Sequence, residues 1–304
     1  MIIDWLKSLR SSAPPRRRIS RRLAVPTPLE SRTLLSAVPL GPEFQVNTWT
    51  TDGQLYPAIA MDSDGDYVIT WNSYGQDGSN WGIFAQRYNS VGIPQGAEFQ
   101  VNSFTTSAQF APNIAMDADG DFVITWFSDN QDGADWGIFA QRYNAAGVSQ
   151  GPEFQVNTWT TQGQVNPAIG MDADGDFVIV WESFVQDGSL SSIYGQRYNA
   201  EGVPQGSEFQ VNTWTTDIQQ HPQVAMNADG DFVVTWESRY QDGDLYGIYA
   251  QRYNAAGVPQ GSEFQVNTWT TEVQSFPSIA MDAEGDFVIT WNSFGQIQDN
   301  FSYD

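Results

Sequence analysis

Residues 41–95 read GPEFQVNTWTTDGQLYPAIAMDSDGDYVITWNSYGQDGSNWGIFAQRYNSVGIPQ, and the chain after them largely repeats this stretch. GPEFQVN at Gly41 returns as GAEFQVN at Gly96, GPEFQVN at Gly151, and GSEFQVN at Gly206 and Gly261, a spacing of 55 residues each time with no insertion. A period this strict describes an array of one supersecondary unit, each copy burying its apolar surface against the next. The units are 41–95, 96–150, 151–205, 206–260 and a partial 261–304, which together make one repeat domain, 41–304, behind an amino-terminal segment 1–40.

Every unit carries four apolar runs. In the second they are EFQVN (Glu98 to Asn102), PNIAMD (Pro112 to Asp117), DFVITWFS (Asp121 to Ser128) and WGIFAQRYN (Trp136 to Asn144). They are short and rich in Val, Ile, Phe, Tyr and Trp, which is strand chemistry. DADG, QDG and NAAGV lie between and after them, with Asp, Asn and Gly where tight turns need them. Short connections make consecutive strands antiparallel neighbours, so each unit predicts a four-stranded meander. In DFVITW, Phe122, Ile124 and Trp126 face one way while Val123 and Thr125 face the other. A sheet apolar on both faces must be packed on both faces, and radial repetition of such sheets is a β-propeller. The small residues of PNIAMD suit the strand nearest the axis.

EFQVN and the paired second and third runs occur five times, but GIxxQRYN occurs four times. The reading is therefore five blades with the last one incomplete, the first EFQVN closing the ring on the last blade. A truncated piece of a larger propeller is the alternative.

Charge divides the chain sharply. Residues 1–40 hold eight basic residues against Asp4 and Glu30, or +6, which leaves 5 basic and 34 acidic residues, or −29, for the repeats. So acidic a surface repels nucleic acid and anionic membranes and favours cations, neutral sugars or basic partners. Cysteine is absent, which excludes disulfides and thiolate metal sites. Residues 1–40, with PPRRRISRRLAVPTP, lack helical or strand periodicity and read as a disordered basic targeting segment.

The acidic loops are the first candidate site: Asp62, Asp64 and Asp66; Asp117, Asp119 and Asp121; Asp172, Asp174 and Asp176; Asn227, Asp229 and Asp231; Asp282, Glu284 and Asp286. Alternate carboxylates can offer several oxygens to calcium, although the spacing is not that of an EF-hand, and a turn alone accounts for Asp and Gly. A second candidate is the ring on each interblade link, Trp49, Phe104, Trp159, Trp214 and Trp269, which can stack on sugar faces. Arg87, Arg142, Arg197 and Arg252 read as pairing with acids or backbone carbonyls between blades. Trp71, Trp126, Trp181, Trp236 and Trp291 read as core between blades. His221 is the single histidine; with Tyr56, Phe110, Asn166 and Phe276 taken as its equivalents, it reads as a tolerant loop position. No nucleophile elbow, phosphate loop or zinc motif is present.

Two stretches resemble known sequence types. LESRTLLSA matches the L-E-x-R-x-L-L motif of large exported bacterial proteins through Leu29, Glu30, Arg32, Leu34 and Leu35. The whole unit, GxEFxVNT…DGDFVxxW…QDG…GIxxQRY, resembles a tandem repeat of large bacterial exported and surface proteins. The resemblance implies an extracellular or cell-surface location. Acidic, Trp-rich, apparently equivalent units then predict a non-catalytic binding or adhesion module, not an enzyme, for extracellular polysaccharide or a surface protein. Calcium is its possible cofactor; nucleic acid and membrane insertion are excluded. A structural spacer, and a propeller-type glycan hydrolase or lyase with carboxylates from different blades, are the rival readings. Unique, non-repeated acids on one face would favour the enzyme.

Overall fold

The computed structural model of this chain describes residues 42–295, and these form a β-propeller with no helix among them. The first blade is β1 (Gln54–Met61), β2 (Tyr67–Tyr74), β3 (Trp81–Tyr88) and β4 (Phe99–Gln100), antiparallel in that order. The second is β5 (Gln109–Met116), β6 (Phe122–Asp129), β7 (Trp136–Tyr143) and β8 (Phe154–Gln155). The third is β9 (Gln164–Met171), β10 (Phe177–Phe184), β11 (Ser191–Tyr198) and β12 (Phe209–Gln210). The fourth is β13 (Gln219–Met226), β14 (Phe232–Arg239), β15 (Tyr246–Tyr253) and β16 (Phe264–Gln265), and the fifth has β17 (Gln274–Met281) and β18 (Phe287–Ser293).

Each blade thus borrows its outer strand from the EFQVN of the following unit, and only Phe-Gln of that run pairs. The innermost strand starts at Gln109, three residues before PNIAMD. First strands pack on first strands, β1 on β5, β5 on β9, β9 on β13 and β13 on β17, which places them around the axis.

The pleat sorts side chains as the alternation requires. Phe122, Ile124 and Trp126 enter the core between blades 1 and 2 with Val68, Ile83 and Ala85, while Val123, Ile138 and Ala140 enter the next with Ile179 and Trp181. Large residues face the preceding blade and small ones the following blade, so each junction interdigitates.

The repeat motifs are explained by hydrogen bonds. Asn102 of the VN pair accepts from Ile83 N at 2.7 Å and donates to Phe104 O at 2.9 Å, pinning the link to the blade. Glu98 of the EF pair accepts from Gln76 and, at 2.6 Å, from the Thr48 amide. The QRY arginines reach the next blade: Arg87 Nη1 donates to Ala146 O at 2.6 Å, Arg142 to Glu201 O and Arg197 to Ala255 O. A Cβ on Gly147, whose φ is +75°, would lie 2.8 Å from Arg87 Cδ, so this turn needs glycine.

Ring closure departs from the expectation. The first EFQVN copy forms no strand and packs on blade 1, with Phe44 5.5 Å from Tyr88 and the Tyr88 hydroxyl donating to Val46 O at 3.2 Å. Phe99 sits on Tyr143 in the same way at 5.4 Å, so Phe44 occupies the place of an outer strand ahead of blade 1, not one on blade 5. Among the described residues β17 does not pack on β1 as the other first strands pack on each other. Ile59 of blade 1 is accordingly 58% exposed where Ile114 is 6% exposed, and Val288 of blade 5 is 43% exposed where Val178 is fully buried.

Candidate active site

The two ends of the propeller differ. At one lie the hairpins between first and second strands, such as Asp62–Asp66; at the other, the interblade links and the QDG hairpins. The Asp hairpins are nearly identical from unit to unit, whereas the link end holds the positions where the units diverge. At successive units these read Tyr56, Ala111, Asn166, His221, Phe276 on the first strand; Asn72, Phe127, Glu182, Glu237, Asn292 and Tyr74, Asp129, Phe184, Arg239, Phe294 on the second; and Trp81, Trp136, Ser191, Tyr246 on the third. A repeat kept uniform by packing and varied at one rim has its asymmetry there.

Backbone geometry aims the first-strand member. Each first strand has a register shift at this point, and Tyr56, Ala111, Asn166, His221 and Phe276 have φ between 48° and 53°. Such bulges re-aim a side chain, and a left-handed β-branch-free residue before proline is strained. The proline after it has no N–H to leave unpaired. The bulge corrects the sequence reading twice: the second unit's equivalent of His221 is Ala111, not Phe110, and His221 lies on β13 rather than in a loop.

His221 meets two carboxylates from neighbouring blades. Its Nδ1 lies 2.9 Å from Glu237 Oε1, and its backbone amide donates to Glu182. Glu237 is 1% exposed and also accepts from Phe276 N at 2.6 Å and from Gln220 Nε2 at 2.8 Å. Glu182 is 4% exposed and accepts from Asn166 Nδ2 at 3.2 Å. Phe276 stacks on the imidazole at 4.9 Å. Glu237, His221, Tyr246 and Phe276 line an open groove of about 370 Å³, within the span of small-molecule sites.

In blade 1 the corresponding Asn72 accepts from Ala111 N at 2.9 Å and donates to Gln109 O, so capping the next blade's bulge is the generic duty of this position. A carboxylate adds charge to that duty, at a desolvation cost that capping does not require. Burial pushes the Glu182 carboxyl above its ordinary range, outweighing its hydrogen bonds. The hydrogen bond to Glu237 raises the His221 imidazole above its usual value, burial opposing it. One carboxyl whose burial favours its neutral form, beside a second that gathers donors, is an arrangement suited to acid–base chemistry.

Both shifts make stability fall as pH rises. Above the ordinary carboxylate value and up to its raised one, folded Glu182 keeps a proton that the unfolded chain has lost. The His221 contribution is complete below the ordinary histidine value and disappears as pH passes its raised one. The stability of Glu182→Gln relative to wild type is therefore expected to increase as pH rises above the ordinary carboxylate range, measured by urea unfolding; a constant difference would contradict the assignment to Glu182.

The other sequence candidates lie elsewhere. Asp62 Oδ1 accepts the amides of Asp64 and Asp66, both at 2.9 Å, and Asp117, Asp172 and Asp282 repeat this. Asn227 does the same with its amide oxygen, so the turn needs an acceptor and not a charge. Asp66, Asp121, Asp176 and Asp231 cap the backbone at Ser90, Ala145, Ala200 and Ala255. The middle acids, Asp64, Asp119, Asp174 and Asp229, and Asp286 of the last turn join no cage: among the described residues no three His, Asp or Glu side chains are grouped to hold a metal ion. Asp172→Asn is expected to stay within about 0.5 kcal/mol of wild type, and Asp172→Ala to lose about 1 kcal/mol, in chelator as in calcium; a chelator-dependent midpoint would contradict this.

Trp49, Trp159, Trp214 and Trp269 are each a little over one-third exposed, and Phe104 is half-buried. They stand one per link around the rim and are not brought together with Glu182 and Glu237. A larger hollow of about 640 Å³ beside Tyr194 and Glu208 is a repeat crevice whose carboxylate is held by Gln186 and the Thr158 amide.

No known sequence family matches the chain, and neither does any curated protein. Solved structures do. The α-L-arabinofuranosidase of Fusarium graminearum bound to an iminosugar inhibitor is 12% identical, covering 78% of this chain and 74% of its own, with a TM-score of 0.55. The same enzyme with arabinobiose gives 0.54 at 12% identity over 78% and 74%. The α-L-arabinanase of Penicillium chrysogenum with arabinobiose gives 0.52 at 13% identity over 77% and 71%. At these identities the likeness establishes the β-propeller fold. The expectation of a non-catalytic, non-enzyme module is corrected: these solved structures of like fold are glycan-cleaving enzymes by name, and the link end holds buried acids at a position that is not acidic in the other three units.

Sequence reasoning missed Glu182 and Glu237 because it compared these positions for what the units share, and it noted that the His221 position varies but took it for a tolerant loop position. Aligning the units for what differs would have found both glutamates.

Proposed function

We propose that the protein is a propeller-type glycan hydrolase whose active site is the link end of blades 3 and 4. The observation that carries this reading is the meeting of two buried carboxylates from adjacent blades on one histidine, Glu237 at its imidazole and Glu182 at its backbone amide, at a position that is not acidic in the other three units. Glu182, its carboxyl raised by burial, is the general acid that protonates the leaving glycosidic oxygen. Glu237 and His221 form the basic partner, the carboxylate orienting the imidazole toward the groove. Two carboxyl groups flanking one bond are what glycoside cleavage requires, and their environments are unlike, which separates the roles.

The substrate is a neutral polysaccharide, since a repeat region of −29 repels acidic ones. Polymers of this kind are met outside the cell, in keeping with the export-type motif at Leu29–Leu35. Arabinan leads the panel because the enzymes of like fold are arabinan-directed by name. Incubation of the folded protein with arabinan, xylan, mannan and β-glucans should release new reducing ends from at least one. Release from none of them would overturn the reading.

A further inference from the structure

On the same rim as the carboxylates, in the two preceding blades, lies a row of aromatic rings that the hydrolytic reading does not use. Tyr74 meets Trp81 at 5.2 Å, Trp81 meets Phe110 at 5.5 Å, and Phe110 meets Trp136 at 5.9 Å; Phe127 flanks the row, 5.0 Å from Trp136. These rings come from blades 1 and 2, and their counterparts in blade 3 are Phe184, Ser191, Val165 and Glu182. Repeat packing therefore does not demand them. Tyr74 is 42% exposed and the other four are partly exposed. Gly53 lies against the row, where a Cβ would come within 3.0 Å of Trp81 Cη2.

The position that is Phe127 in blade 2 is Glu182 in blade 3, so aromatic and carboxylate halves are consecutive sectors of one rim. Resting on the hydrolase reading, we propose that the row of Tyr74, Trp81, Phe110 and Trp136 is an extended binding platform for the unbranched part of the glycan. Successive sugar rings stack on it and the chain crosses from blade 2 onto Glu182 and Glu237. Each ring-to-ring step is about the width of one sugar. Ring faces attract the C–H face of a neutral sugar, and the acidic surface disfavours an anionic chain. A platform leading away from the carboxylates makes the enzyme prefer long substrates.

The test measures binding of arabino-oligosaccharides, disaccharide to hexasaccharide, to Glu237→Gln by isothermal titration and tryptophan fluorescence. Affinity is expected to rise with length. Adding Trp81→Ala or Trp136→Ala should weaken the hexasaccharide at least tenfold and flatten the length dependence, whereas Trp136→Phe, which keeps a ring, should stay within about threefold. Circular dichroism and unchanged unfolding midpoints identify variants that remain folded. Length dependence that persists in both folded alanine variants overturns the platform. The two readings fail separately: Trp-dependent binding by a protein that cleaves nothing retains the platform and removes the hydrolase, and Glu-dependent cleavage with no effect of either Trp does the reverse.

Discussion

Glu237→Gln is expected to slow glycan cleavage by about three orders of magnitude while the propeller stays folded. The amide oxygen of glutamine still accepts from the Phe276 amide, so the cap on the fifth blade's bulge survives. What is lost is the negative charge 2.9 Å from His221 Nδ1. Because that hydrogen bond is the largest cause of the raised imidazole value, the same substitution should lower the His221 pKa. The chain has one histidine, so a single imidazole resonance reports it. Glu182→Gln should cut the rate comparably by removing the acid. A loss of less than tenfold in both variants, with the histidine pKa unmoved, would remove these residues from the chemistry.

The second large effect is on the scaffold. Trp181→Ala should destabilise the propeller by about 4 kcal/mol, much of the total stability of an ordinary domain. Its indole is fully buried in the junction of blades 2 and 3 with Val123, Ile138 and Ala140. Its Nε1, like those of Trp71, Trp126 and Trp236, has no hydrogen-bond partner among the described residues. Trp181→Phe therefore loses packing but strands no acceptor, and about 1–2 kcal/mol is expected. Trp291, only partly buried in the fifth blade, should cost less on truncation than Trp181. Urea unfolding compares the three. Equal losses for Trp181→Ala and Trp181→Phe would mean that the indole nitrogen, not the ring volume, holds the junction.

The fold was legible because packing imposes it 55 residues at a time. DFVITW states both faces of a strand, and Asp-Gly states the turn that follows PNIAMD. What escaped were features whose meaning is geometric. The positive φ before each proline turns His221 from a loop residue into one aimed at the rim, and no residue type announces it. Glu182 and Glu237 stand 55 residues apart in sequence and share a histidine only because the ring brings their blades together. In the Asp loops the first carboxylate accepts amides of its own turn and the third accepts an amide of the hairpin that follows, so both have a structural duty that the alternate spacing does not state. The link tryptophans attracted notice by recurring, whereas Trp81 and Trp136, which do not recur in blade 3, stand on the same rim as the carboxylates.

The most direct test of the central claim is a crystal structure of Glu237→Gln soaked with an oligosaccharide that the wild type cleaves. A glycosidic oxygen is expected within hydrogen-bonding distance of the Glu182 carboxyl, with the rest of the sugar chain leading away along the link end. Sugar bound at the Asp-hairpin end, or on the link tryptophans with the groove lined by His221, Glu237, Tyr246 and Phe276 empty, would contradict this.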